Sequence, residues 1–373
     1  MEITSNAIQE ILKKVMHPEH NKDIMSLGMV QELTINGQNI GFTLTLAKPN
    51  DPFASSVKKA CTRAVEEKFG KEITLDIKVK SNAAPKAESP YKTKASVSRV
   101  KNIIAISSGK GGVGKSTIAA NLAVAVSKTG AKVGLIDADI YGPTIPKMFN
   151  VEGVQPAMFK DDGMDLIEPV ESHGVKMLSI GFFVQSDNAL MWRGPMATSA
   201  LKQLIHQGAW GELDYLFIDL PPGTSDIHLT MVQEIKVTGA VIVSTPQDVA
   251  LAAAVRGVSM FTSESINIPI LGFIENMAWF TPEELPDNKY YLFGKDGCKK
   301  LAERMKLPLL GQIPIVQGIR EGGDLGKPAA LGQGVLAKAF DLLANNLILQ
   351  IEKRNQTLPP THKVEVKQKS INH

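Results

Sequence analysis

The sequence is poor in cysteine, in aromatic residues and in net charge, and it has no long apolar run. Two cysteines, Cys61 and Cys298, stand far apart in 373 residues, which excludes a disulfide framework. A net charge of +3 with a pI near 8.6 is too mild for the concentrated basic face that nucleic acid demands, so no nucleic-acid partner is expected. No uninterrupted apolar stretch is long enough to span a bilayer, and the opening MEITSNAIQEIL carries acids where a secretory signal needs an apolar core. A cytoplasmic protein that engages no membrane is the expectation. The length and the 43% hydrophobic content allow more than one domain with a sizeable core, to which the fourteen methionines contribute filler.

What is present is concentrated in SSGKGGVGKST, Ser107 to Thr117. It follows the β-branched run Ile103–Ile106 and precedes an alanine-rich helical pattern, Ala119 to Val126. Gly109, Gly114, Lys115 and Ser116 fit the phosphate-loop template in the strand-loop-helix context it needs. Gly109, Gly111, Gly112 and Gly114 let successive N–H groups turn inward around an anion. The following helix aims about half a positive charge at the same oxygens. Lys115 is expected on the β- and γ-phosphates and the Ser116 hydroxyl on Mg²⁺. The nucleotide-contacting stretch therefore comprises Gly109, Lys110, Gly111, Gly112, Val113, Gly114, Lys115, Ser116 and Thr117.

Lys110 is not needed to wrap a phosphate within one chain; it is either a solvated lysine or a charge offered across a dimer interface. GKGGVGKST resembles the deviant phosphate loop of the MinD/ParA-like ATPases. That resemblance implies a homodimer in which Lys110 contacts the partner's nucleotide, with ATP and Mg²⁺ as ligands.

Four segments are expected: a small α-β-β-α-β domain over 1–80, a flexible tether over 81–98, an α/β phosphate-loop domain with a mostly parallel, doubly wound sheet over 99–355, and a polar, frayed tail over 356–373. In the first, Ile8, Ile11, Leu12 and Val15 predict a helix to about Met16. Asn36-Gly37 predicts a hairpin, the run Pro52–Phe69 a second helix with Cys61 on its apolar face, and Ile73–Val79 a last strand. In the third, seven strands are expected, at Ile103–Ser107, Lys132–Asp137, Lys176–Ile180, Tyr215–Asp219, Ala240–Thr245, Ile270–Glu275 and Leu309–Ile313. Ligands of such a sheet gather at the carboxyl ends of its strands.

Four segments at those ends carry candidate chemistry. DADIYGPTIP resembles switch I of the MinD/ParA-like group, in which the acid matching Asp139 orients the attacking water while Asp137 supports the magnesium shell. YLFIDLPPGTSD ends an apolar strand in Asp219, the acid expected on Mg²⁺, and its Pro221-Pro222-Gly223 resembles switch II, with the Gly223 N–H sensing the γ-phosphate. In FIENMAWF and GQIPI, the resemblance implies that Asn276 reads adenine with its side-chain amide and that Pro314 packs against the base. Lys110, Lys115 and Asp139 are the expected catalytic side chains; Ser116, Asp137 and Asp219 are the expected Mg²⁺ site.

The small first domain, WRGP, ENMAWF, YLFG and GIREGGDLGKP together resemble the Mrp/ApbC-type iron-sulfur cluster carriers, whose first domain is associated with iron-sulfur assembly. The resemblance implies a slow, dimer-dependent ATP hydrolase that passes clusters to apoprotein clients or takes them from scaffold proteins. Its usual Cys-x-x-Cys is missing: Ala278–Tyr291 contains no cysteine, and only Cys298 lies near. Cys298 is either a possible iron-sulfur ligand or a small residue opening a helix. Two other functions stay open, a positioning ATPase of the partition or division type and an ATP-gated dimeric adaptor without a cluster.

Overall fold

The structure, a computed structural model, describes residues 4–17, 22–37, 39–46, 54–70, 73–81, 96–161, 163–183, 194–282, 284–285 and 287–364. The chain divides into two compact units, Met1–Lys92 and Thr93–His373. Most of the expected tether, and Trp192-Arg193 of WRGP, lie outside the described residues.

The first unit runs α1 (Ser5–Leu12), β1 (Met16–His17), β2 (Lys22–Asp23), β3 (Val30–Asn36), β4 (Asn39–Leu46), α2 (Ala54–Phe69) and β5 (Thr74–Ser81). Thr4 caps α1 by accepting the Ala7 N–H at 3.3 Å. The helix stops four residues before the expected Met16, because Val15 bonds Leu12 in a tighter turn and Met16–His17 then pairs with β2. Val15 is buried all the same, so its apolar spacing reports the core and not the helix end. Asn36 pairs with Asn39 across the hairpin, and Gly37 takes the positive φ of 64° that the turn requires. β4 also pairs in parallel with β5. Ile8, Leu12, Ile40, Leu44, Val57 and Cys61 close the core.

The second unit continues with β6 (Val100–Ser108), α3 (Lys115–Ser127), β7 (Val133–Asp137), α4 (Ile145–Met148), β8 (Met158–Asp161), β9 (Met164–Ile167), β10 (Val170–Ser172) and β11 (Val175–Ser179). Then come α5 (Gly194–His206), β12 (Leu213–Asp219), α6 (Asp226–Glu234), β13 (Gly239–Ser244), α7 (Asp248–Thr262), β14 (Ile270–Phe280), α8 (Gly297–Met305), β15 (Leu309–Ile315), α9 (Gln317–Asp324) and α10 (Val335–Thr357). Its sheet has eight strands in the order β10-β11-β7-β12-β6-β13-β14-β15, all parallel to their neighbours except the edge strand β10. All seven expected strands are present. The sequence reading missed β10 and the short β8–β9 hairpin, in which β8 is exposed and β9 buries only Ile167, too little for an apolar alternation.

Two apolar layers cover the sheet, one with α5, α6, α7 and α8 around Trp210 and Phe261, the other with α3 and α10 around Phe217 and Phe340. The chain leaves β6 for β7 on one side and later crosses to β13 on the other, which opens a crevice at the tip of β6. The expected frayed tail is corrected in part. α10 continues to Thr357, Arg354 holds the Pro359 carbonyl at 2.6 Å, and the Val364 N–H bonds Val232 at 2.9 Å with Val364 packed on the core. Among the described residues no helix is long and apolar enough to cross a membrane.

Candidate nucleotide site

The loop Gly109–Gly114 joins β6 to α3 at that crevice. Its glycines serve different ends. Gly112 and Gly114 hold φ of 78° and 77°, open to glycine at little cost. Gly109 is needed for packing, since a Cβ there would stand 2.1 Å from the Ala253 carbonyl carbon in α7. Val113 is buried beneath the loop, whereas Gly111 and Gly112 are exposed at its crest. Gly114 caps α3, which presents Lys115, Ser116 and Thr117 in its first turn.

Lys115 is 6% exposed and surrounded by carboxylates. Its Nζ lies 2.6 Å from Asp219 Oδ1, 3.5 Å from Asp139 Oδ2 and 3.3 Å from Ser116 Oγ. Burial pulls the ammonium pKa down, but Asp219, Asp139 and Asp137 outweigh it and the net direction is up. Asp137, at the tip of β7, is wholly buried, and both of its oxygens are hydrogen-bonded. It accepts from the Asp139 N–H at 3.2 Å, the Ile145 N–H at 3.2 Å and Ser179 Oγ at 2.9 Å. Burial and the neighbouring Asp219 push its carboxyl up to about 7 against those bonds. Burial also raises Asp139, with Lys115 opposing.

The donor set fits Mg²⁺. Asp219 Oδ2 and Asp139 Oδ1 are buried without a hydrogen-bond partner, a costly state for a carboxylate oxygen and the hard-oxygen chemistry Mg²⁺ takes. Among the described residues no group of three or more His, Cys, Asp or Glu forms a complete ion cage. Mg²⁺ seldom uses one, because it keeps waters and phosphate oxygens as ligands. Both Asp137 oxygens already accept hydrogen bonds from the chain, unlike Asp219 Oδ2 and Asp139 Oδ1.

The Pro221–Gly223 turn, expected to be switch II, folds against the loop strand. Gly223, at φ 82°, donates its N–H to the Ser108 carbonyl at 2.9 Å, so that donor is engaged by the chain and faces no open phosphate position. The expected γ-phosphate contact therefore requires the exchange of one acceptor for another. Asn276 Nδ2 donates to the Val113 carbonyl at 2.9 Å, and a Cβ on Gly114 would come within 2.3 Å of it. The side chain expected to read adenine is thus also a strut of the phosphate loop. Pro314 is half-buried near the end of β15, the strand beside β14. Lys110 Nζ reaches Gln247 Oε1 at 3.5 Å, and its carbonyl accepts from Ser108 Oγ at 3.0 Å.

Cys298 has the surroundings of a core side chain. It is fully buried in the first turn of α8, its N–H bonds Glu275 Oε2, and burial together with Glu275 pushes its thiol up to about 12. Cys61, fully buried in the other unit, is also pushed up to about 12 by burial. Iron is ligated by thiolate, so neither side chain fits a cluster as it stands. The structure supports the second reading of Cys298, a small residue that lets α8 start beside β14.

Comparison with known proteins agrees with this architecture. The family described as NUBPL iron-transfer P-loop NTPase matches residues 99–348, and a second, described as iron-sulfur cluster assembly protein, matches residues 5–74. This chain belongs to the NUBPL-type family of P-loop NTPases. It is 44% identical over 342 residues to an iron-sulfur cluster carrier protein of Synechocystis, covering 92% of this chain and 96% of that one. It is 45% identical over 270 residues to the carrier protein of that name in Escherichia coli, covering 72% of each. Among solved structures, a nucleotide-binding protein of Archaeoglobus fulgidus in complex with ADP is 38% identical with a TM-score of 0.56, covering 64% of this chain and 92% of that one.

Within this NUBPL-type chain, the sequence reading missed the polar residues that support the site from behind. Ser179 braces Asp137 from β11, Gln312 braces Glu275 at 2.7 Å from β15, and His228 sits buried behind the loop strand. A polar residue directly after an apolar run was the available signal for Ser179 and Glu275.

Proposed function

We propose that the chain is an ATP-binding and ATP-hydrolysing iron-sulfur cluster carrier or assembly factor that works as a homodimer in the cytoplasm and serves apoprotein clients or scaffold proteins. One observation carries the nucleotide half of this reading: a glycine cradle opens beside two buried carboxylate oxygens that have no partner, with Lys115 between them. The cluster half rests on the family and on the named carriers that this chain is similar to.

The loop N–H groups and the start of α3 bind the phosphates. Lys115, held by Asp219, transfers its ammonium to the β- and γ-phosphates and leaves Asp219 free. Ser116 and Asp219 would hold Mg²⁺, which supplies charge neutralisation across the phosphates. Asp139 orients water with the oxygen that has no partner, while Asp137 keeps switch I in place. Gly223 gives up the Ser108 carbonyl for the γ-phosphate. Asn276 and Pro314 border the adenine, and Lys110 of each subunit adds charge to the other's nucleotide. No step runs through a cluster, because neither cysteine fits one.

The test is ATP turnover against protein concentration, with Lys110→Ala alongside. Specific activity rising with concentration in the parent and lost in the variant supports the dimer; concentration-independent turnover sinks it. The burial of both thiols favours a second reading, an ATP-gated adaptor without a cluster. Anaerobic reconstitution that leaves the protein without iron and sulfide, alone and with thiol-bearing clients, selects it.

A further inference from the structure

His228 is fully buried in the first turn of α6, the helix that follows the Pro221–Gly223 turn, and the mechanism above makes no use of it. Its Nδ1 accepts the Ser225 N–H at 3.2 Å and lies 3.3 Å from Ser225 Oγ. Acceptance at Nδ1 leaves the ring proton on Nε2. That nitrogen is 3.5 Å from Oγ of Ser107, in the strand end that becomes the phosphate loop. Burial, reinforced by the charge of Lys115, holds the pKa down to about 4, so the ring is neutral. Residue by residue, Gly223 N–H to Ser108 and His228 to Ser107 join the two segments at adjacent points.

We infer that His228 is a positioning residue of the nucleotide cycle, in which its imidazole clasps the start of α6 to the end of β6 and so confines switch movement to the Pro221–Ser225 turn. The inference rests on the ATPase reading of the site. A buried imidazole costs desolvation that an aliphatic side chain avoids, so its two directed contacts are what distinguish it from filler. With α6 clasped, Gly223 is free to exchange the Ser108 carbonyl for a phosphate oxygen while the helix behind it stays fixed. Without the clasp, turn and helix drift together and the Gly223 N–H loses its aim.

The full-length protein is compared with His228→Asn, His228→Gln, Ser107→Ala and the Asn/Ala double variant, by amide exchange at Gly223 and by steady-state ATP hydrolysis. Asparagine retains an acceptor for Ser225 but is too short for Ser107, whereas glutamine reaches Ser107. His228→Asn and Ser107→Ala are each expected to speed Gly223 exchange about tenfold and to lower kcat about tenfold with KM for ATP nearly constant, the effect of one lost hydrogen bond. The double variant matches the singles, because both remove one contact. His228→Gln stays within about threefold of the parent. Parent-like exchange and turnover in His228→Asn, or single effects that multiply in the double variant, would overturn the assignment. A parent that hydrolyses no ATP refutes the ATPase reading instead, and Gly223 exchange still decides the role of His228.

Discussion

Two groups of buried polar side chains sit in one sheet, one at the carboxyl ends of β7 and β12 and one within β14 and β15, and their bonding is opposite. At the first, three carboxylates surround one ammonium and leave Asp219 Oδ2 and Asp139 Oδ1 without partners. At the second, Glu275 is equally buried, yet the Cys298 N–H fills one oxygen and Gln312 Nε2 the other; that same Nε2 lies 3.0 Å from Asp296. In sequence, an acid after an apolar run looks the same in both places. What marks a ligand site is the count of donors the chain supplies, since an unpaired buried carboxylate oxygen persists only where something else stabilises it.

The sharpest break of this comparison is Lys115→Ala, expected to lower ATP turnover about 10³-fold, at the upper end for loss of one preorganised donor. Near-parental turnover would place the chemistry elsewhere.

A smaller effect is expected from pH on the His228 side of the first group. Unfolded, this imidazole titrates near 6.5; folded, only at about 4. Between those values the unfolded chain binds more protons, so stability is intact above pH 6.5 and falls as pH drops towards 4, by on the order of 3 kcal/mol at the limit. Denaturant midpoints against pH test this, and His228→Gln should flatten the slope.

Mg²⁺ should distinguish the two groups directly. At about a hundredfold excess over Kd, Mg·ADP is expected to stabilise the parent by roughly 2–3 kcal/mol, and Mg²⁺ to add nothing beyond ADP alone in Asp219→Asn. An equal loss of the Mg²⁺ increment in Glu275→Gln would erase the distinction.

The smallest effect belongs to Cys298→Ala, expected to cost about 1–2 kcal/mol as a small core deletion and to leave iron content after anaerobic reconstitution unchanged. Cluster bound by the parent and lost in this variant would show that α8 opens to expose the thiol.

Much of the fold was legible because its signals are local. The seven parallel strands announce themselves as apolar runs, and the phosphate loop as glycines between one such run and a helix. The misses have particular causes. β8 is exposed and the four-residue β9 buries only Ile167, α1 ends early although Val15 stays in the core, and the tail is anchored by bonds from Arg354 and Val364 that composition does not report. Asn276 was expected at the adenine, but its contact with Val113 spans 163 positions in the chain and no local pattern reports it.

By itself the sequence determined the phosphate-binding chemistry, because glycine torsions, the lysine and the strand-helix pattern are properties of neighbouring residues. Only the tertiary structure decided which acids remain open to a cation, that both thiols are closed off, and that the Pro221–Gly223 turn lies bonded to the loop strand. Those outcomes depend on donors and burial supplied by distant segments, and no local pattern of residue types encodes them.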